Sequence, residues 1–138
     1  MRRVVITGLG VVSPIGIGHS SFWDAALAGK SGVGRITRFD TTGFATQIAA
    51  EVKDFDPGLY MDKKEAKRMD RFAQYGVAAS LMALQDSGLT IDGANAEDVG
   101  VYVSAGIGGL ETLESQCLVL REKGPGKVSP FFVPMMIG

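Results

Sequence analysis

Arg2-Arg3-Val4-Val5-Ile6-Thr7-Gly8-Leu9-Gly10-Val11-Val12-Ser13-Pro14-Ile15-Gly16 opens the chain, and its reading decides the fold class. Val4, Val5 and Ile6 make a β-branched run of the kind that fills a central strand covered on both faces. Gly8 and Gly10 break the run where the backbone turns sharply or lets another group come close. Pro14 and Gly16 keep regular structure out until a helix begins near Ser20. Strand, glycine turn and helix in this order open a parallel α/β unit. The turn itself has two readings, a phosphate cradle or a packing turn. A dinucleotide fingerprint needs glycine or alanine three residues after the second glycine, where a helix begins. Ser13 stands there, Pro14 follows it, and no acid ends a second strand about 20 residues on. The residues favour packing.

Composition narrows the rest. A chain of 138 residues is enough for one domain with a core of its own. Its 19 glycines sit mainly in turns after apolar runs, as close α/β packing requires. Fourteen basic against 15 acidic side chains leave almost no net charge, which argues against a generic nucleic-acid binder. A single cysteine cannot build an internal disulfide framework and fits a reducing compartment. No apolar run reaches the roughly 18 residues of a membrane span. Arg2 and Arg3 imitate the start of a signal peptide, but Gly8, Gly10, Ser13 and Pro14 break the apolar run too early for one. A cytoplasmic protein is expected.

Along the chain, Ser21 and Asp24 have capping-box spacing for the first helix, and Gly29 is its C-terminal cap. Residues 31–34 read as a loop. Residues 47–53 alternate, with Ile48, Ala50 and Val52 on the inner face of a half-buried strand. Asp56-Pro57-Gly58 is a turn. A long helix is expected over 62–87, ended by Gly88. Its second half carries the apolar stripe Met69, Phe72, Ala73, Val77, Leu81 and Leu84. In its first half Lys64, Lys67, Arg68 and Arg71 fall at i, i+3, i+4 and i+7, one cationic face. After a polar loop over 92–95, residues 99–103 are a second buried-strand candidate, leading into the glycine turn 104–109. Leu110, Leu113, Cys117 and Leu120 give helical periodicity up to Lys123. The closing run 128–138 is nearly all apolar and is expected to need cover from further chain or a partner.

Few of these residues point to chemistry. Cys117 lies mid-helix on the apolar stripe, away from any helix N-terminus that would activate a thiol, and reads as a small buried hydrophobe. His19 is the only histidine and lies in a loop, and one Cys with one His assembles no metal site of familiar spacing. The carboxylates show no paired acid/base pattern. The cationic face is the strongest functional signal, because complementary charge speeds encounter with an acidic partner and sets its orientation.

At this point the chain resembles a family. Residues 2–10 with Ser13-Pro14-Ile15-Gly16 look like the opening of the β-ketoacyl-(acyl-carrier-protein) synthases, closest to the bacterial synthase II type. The likeness continues through Phe39-Asp40-Thr41, Val52-Lys53-Asp54-Phe55, Met69-Asp70-Arg71-Phe72, Gln85-Asp86-Ser87-Gly88-Leu89, Gly106-Ile107-Gly108-Gly109-Leu110 and Ser129-Pro130-Phe131-Phe132-Val133-Pro134. It spans 1–138 as one incomplete N-terminal synthase domain.

The resemblance implies an α/β thiolase-like fold, two similar halves stacked as five layers, in a homodimer. It implies a decarboxylative Claisen condensation on an acyl group delivered by acyl-carrier protein to an activated cysteine, with two histidines serving the malonyl half-reaction. Cys117 and His19 do not match those catalytic positions, so no catalytic residue, metal or cofactor is assigned here, and the 138 residues alone are expected to be inactive. Carried over by position, Ile107 lines and gates the acyl pocket, while Leu113 and Phe132 reach across the dimer to shape the partner's pocket. Lys64, Lys67 and Arg68 contact the carrier protein, and Lys127 adds to that patch. Alternatives are a non-catalytic module that docks carrier protein or pairs with an intact synthase, and a polyketide-type ketosynthase fragment. A nucleotide-binding α/β domain is disfavoured by Ser13 and Pro14.

Overall fold

The structure, a computed structural model, describes residues 3–137. It divides into two compact units, residues up to Asp56 with Ala79–Gly88, and Pro57–Ala78 with the residues from Leu89 on.

In the first unit, Pro14 and Gly16 shape a short hairpin rather than excluding one. Strand β1 (Val12–Ser13) pairs antiparallel with β2 (Gly16–Ile17). The Ser13 hydroxyl donates to Gly16 O at 2.9 Å and accepts from Ile15 N–H at 3.3 Å, closing the turn. Helix α1 (His19–Leu27) follows directly from Gly18. The expected capping box does not form, because Ser21 already lies inside the helix and its hydroxyl donates back to Ile17 O at 2.5 Å. The other end is as expected. Gly29, at φ 63°, donates to Ala26 O, and Lys30 donates to Ala25 O, the paired bonds of a Schellman cap.

Residues 33–34, expected in a loop, belong to strand β3 (Val33–Arg35), which pairs antiparallel with β4 (Ile48–Ala50). The β4 strand covers only three of the expected residues 47–53, and of the face Ile48, Ala50 and Val52 only Val52 is half-buried. Ile48 and Ala50 are exposed, whereas Gln47, Ala49 and Glu51 are half-buried. Hydrogen bonds set this phase. Gln47 accepts from Arg35, and the Glu51 carboxylate accepts from Thr37 N–H, the Thr37 hydroxyl and Arg38 N–H.

Residues 4–6 are not in a strand. Val4 and Ile6 are 92% and 83% exposed. A β-branched run makes extended backbone favourable, but a strand also needs a neighbour to complete its ladder, and the described residues supply none here. The following glycines do pack. A Cβ on Gly10 would stand 1.8 Å from Ala79 O, and one on Gly8 would stand 2.1 Å from Ala83 O, both on helix α3 (Arg71–Ser87). Leu9 N–H donates to the Asp86 carboxylate at 2.9 Å beside them. The turn is a seat for a helix backbone.

The second unit opens with a 3-10 turn, Pro57–Leu59, and helix α2 (Lys63–Ala66). Asp62 caps α2, its carboxylate accepting from Lys64 N–H at 2.7 Å and Glu65 N–H at 3.0 Å. The single helix expected over 62–87 is two helices, with a turn over 67–70 and a fresh start at Arg71. Asp70 causes the restart by accepting from Arg71 N–H, and Gln74 Nε2 takes up Ala66 O at 2.8 Å and Met69 O at 3.2 Å. Lys64, Lys67, Arg68 and Arg71 therefore do not share one helix face.

Residues 99–103 are likewise not a strand, and Val101 and Tyr102 are 85% and 96% exposed. Helix α4 (Leu110–Lys123) has the expected bounds, but its buried residue is Thr112. Leu110, Leu113, Leu120 and Cys117 are exposed, which corrects the reading of Cys117 as a core residue. The apolar tail forms helix α5 (Phe132–Met136).

Replacing Gly10 with alanine should destabilise the protein by about 3 kcal/mol or more, because the clash is with helix backbone. Gly34→Ala, where a Cβ meets nothing within 4 Å, should change stability by less than about 1 kcal/mol. Urea unfolding midpoints of the two variants check the contrast.

Candidate functional site

The site is built around a buried acid, Asp70, to which the sequence reading gave no role. Asp70 is 9% exposed and stands at the restart of α3. One carboxylate oxygen accepts from Arg71 N–H, while the other accepts from Thr112 N–H at 3.0 Å and the Thr112 hydroxyl at 2.6 Å. Thr112, itself buried, lies in the first turn of α4, so a single carboxylate caps one helix and binds the start of another. Burial raises the Asp70 pKa. The bonds from the Thr112 side chain and backbone, and from Arg71 and Phe72 N–H, outweigh it and hold the acid below its ordinary value.

Next to this carboxylate runs the glycine loop 104–109. A Cβ on Gly109 would stand 2.5 Å from Asp70 Oδ2, so only glycine lets the loop lie this close. Gly109 N–H donates to Met136 O at 2.8 Å, at the end of α5. The loop is thus held between Asp70 on one side and the last turn of α5 on the other.

Beside these contacts lies an open, largely apolar pocket of about 380 Å³ lined by residues 105–110 with Leu113, Met136 and Ile137. Ile107, expected to line the acyl pocket, and Leu113, expected instead at the partner's pocket, both line it. Phe132 does not line it. It lies half-buried at the first position of α5, and the opposite end of that helix supplies Met136.

The cations are carried differently from the expected stripe. Lys64 is on α2, Lys67 is the residue that caps its end, and Arg68 is in the turn, all three exposed. The Arg68 guanidinium lies 4.6 Å from the centre of the Phe131 ring, at the start of α5. Arg71 turns away to Tyr75, with Nε donating to its hydroxyl at 2.5 Å.

Neither His19, in the first unit, nor Cys117 is among these residues. His19 Nδ1 lies 3.9 Å from Asp86 Oδ1, beside an open cleft of about 320 Å³ with Met82 and Gln85. Cys117 is exposed about two turns into α4. Asp70, Thr112 and Met136 are the site residues that sequence reasoning missed. The available signal for Asp70 was an N-cap residue type just before a helical run.

The family model for the N-terminal domain of beta-ketoacyl synthases matches residues 1–138. The 3-oxoacyl-[acyl-carrier-protein] synthase 2 of Vibrio cholerae serotype O1 is 54% identical over 136 residues, 99% of this chain and 33% of the relative. The ishigamide ketosynthase/chain length factor superposes with a TM-score of 0.80 at 36% identity, over 98% of this chain and 34% of the other. A type II PKS ketosynthase, solved with its acyl-carrier protein and bound to the hexaketide, gives a TM-score of 0.80 at 25% identity. That match covers 99% of this chain and 35% of the other. The chain belongs to the beta-ketoacyl synthase family, and its fold is the α/β thiolase-like fold of the ketosynthases. It spans about one third of the length of the curated relatives it matches. Among the described residues, no helix is long and apolar enough to cross a membrane.

Asp70 gives the site a pH signature. A carboxylate whose folded pKa lies below its unfolded value stabilises the fold above the unfolded pKa of about 3.9, and that stabilisation is lost as pH falls through the folded value. Asp70→Asn should therefore be less stable than the parent at pH 7, and the gap should narrow below about pH 4. Urea midpoints of both proteins from pH 3 to 7 check the sign.

Proposed function

We propose that this chain is part of a condensing enzyme of fatty-acid biosynthesis, within which it supplies a carrier-protein docking face, a wall of the acyl pocket and surface for a homodimer. The reaction is the decarboxylative Claisen condensation. Malonyl thioester loses carbon dioxide, and the resulting carbanion attacks the carbonyl of an enzyme-bound acyl thioester, expelling the enzyme thiolate. The observation that carries this reading is the open, largely apolar pocket beside Ile107, whose lining suits a hydrocarbon chain. Exposed Lys64, Lys67 and Arg68 offer the docking charge, and Phe132 and Leu113 the surface toward a second copy. The 54% identity to a bacterial synthase 2 favours acyl-carrier substrates.

A polyketide-type ketosynthase is the second reading, favoured by the structural likeness to a type II PKS ketosynthase. A panel of saturated acyl and β-ketoacyl primers separates the two.

Cys117 is not proposed as the nucleophile, since it lies about two turns into α4, away from the helix N-terminus. Turnover of malonyl and acyl thioesters by the 138 residues alone should be undetectable by product mass. Condensation that Cys117→Ser abolishes would overturn that assignment.

The docking face calls for Lys64→Glu with Lys67→Glu, because Arg68 also stacks on Phe131 and its replacement would disturb packing. In the full-length enzyme this pair should lower kcat/KM for carrier-borne acyl groups roughly tenfold at low salt, and less at high salt. Turnover of a small carrier-free thioester should hardly change. Equal losses with both substrates would place the fault in folding. Ile107→Phe should depress long primers more than short ones, read as the ratio of their kcat/KM values.

A further inference from the structure

The residue that sets the position of the cavity loop is not in the loop. Gly109 lies against the Asp70 carboxylate so closely that no side chain fits between them. That carboxylate is itself immobile, because Arg71 N–H, Thr112 N–H and the Thr112 hydroxyl all donate to it. Asp70 ends the turn that carries Lys67 and Arg68, and Arg68 stacks on Phe131 at the head of α5. The far end of α5 holds the same loop, through Met136 O and Gly109 N–H. Two routes thus run from the cationic turn to the loop bearing Ile107, one through the Asp70 carboxylate and one along α5.

We propose that Asp70, with Thr112, is a positioning residue that fixes the Ile107 loop against the cationic turn and so sets which acyl chains the cavity accepts. The chain-length part of this inference rests on the proposed condensing function. The mechanical part does not.

The placement has a physical reason. Loop 104–109 has few anchors of its own, since Ile107 is exposed and Gly108 lies at φ 82°. Its position is therefore decided by what Gly108 and Gly109 touch at its C-terminal end, the Asp70 carboxylate and Met136 O. Asparagine at 70 keeps the volume but replaces one carboxylate oxygen with an NH2 group, which faces donors on either side and repels one of them. Thr112→Val keeps the shape and removes only the hydroxyl donor. Thr112→Ser keeps the donor.

The test uses the full-length enzyme with two readouts. The first is amide hydrogen exchange over residues 105–110. Asp70→Asn and Thr112→Val should each speed exchange there at least fivefold, while Thr112→Ser should not. The second is the ratio of kcat/KM for long and short carrier-borne primers, which should shift at least threefold in the same direction for Asp70→Asn and Thr112→Val and stay within twofold of the parent for Thr112→Ser. If Asp70→Asn fails to fold, Thr112→Val carries the test. Unchanged exchange in the loop overturns the mechanical link. Faster exchange with an unchanged primer ratio reduces Asp70 to a structural role and overturns the assignment. A parent enzyme with no condensing activity, whose loop nevertheless loosens in the variants, sinks the proposed function while leaving the mechanical link standing.

Discussion

A carboxylate that leaves water must find donors for its oxygens, and Asp70 finds them on two helices at once. Its hydrogen bonds to Arg71 and Thr112 decide where α3 begins, where α4 is held, and how near the glycine loop can come. Burying the acid with fewer partners would cost several kcal/mol. Each donor therefore constrains the geometry of the rest. Because α3 starts at Arg71, the preceding residues form a turn and not helix. That turn places Lys67 and Arg68 on a short connection between two capped helices. The same constraint seats Gly109, so the cavity loop inherits its position from an interaction outside the cavity.

Both units rely on a glycine meeting something that tolerates no Cβ, but what it meets differs. Gly10 abuts the backbone of α3, a rigid surface whose only answer to an added methyl is displacement. Gly109 abuts a side chain that is rigid for another reason, since hydrogen bonds hold it. The first contact is settled by steric fit alone. The second depends also on charge and pH, because protonating Asp70 turns one of its acceptor oxygens into a donor.

What could be read from the sequence follows this division between local and non-local causes. The Gly29 cap and the bounds of α4 were legible because neighbouring residues determine them. The packing role of the Gly8 and Gly10 turn was legible by elimination, through Ser13 and Pro14. Residues 4–6 and 99–103 have strand composition, yet a ladder depends on a partner that composition does not specify. Only three residues of the β4 strand were found, with Ile48 and Ala50 exposed, since polar partners on β3 and the following residues outweighed the hydrophobic alternation. The helix over 62–87 failed for a related reason. Apolar and basic periodicity ran straight across the break, and an acid that caps a helix looks in sequence like an acid on its surface. Of the site, Ile107, Leu113 and Phe132 came from family resemblance; Ile107 and Leu113 line one pocket, although the resemblance set Leu113 with Phe132 at the dimer surface. Asp70 was quoted within that resemblance without its role being visible.

Splitting the expected helix also changes what the cations can do. Four charges fixed along one helix face would form a rigid stripe. Here Lys64 sits on a short helix, Lys67 ends it, and both side chains are free to follow a partner's charges, so they suit long-range steering. Arg68 is different. Stacking on Phe131 adds roughly 0.5–1 kcal/mol at an exposed site and fixes the orientation of its guanidinium. A fixed planar donor selects carboxylate geometry where a mobile ammonium selects only charge. In the proposed docking role the lysines would then govern encounter and the arginine the final register. Because the arginine's support is the head of α5, that register is set by the same helix whose far end holds the cavity loop.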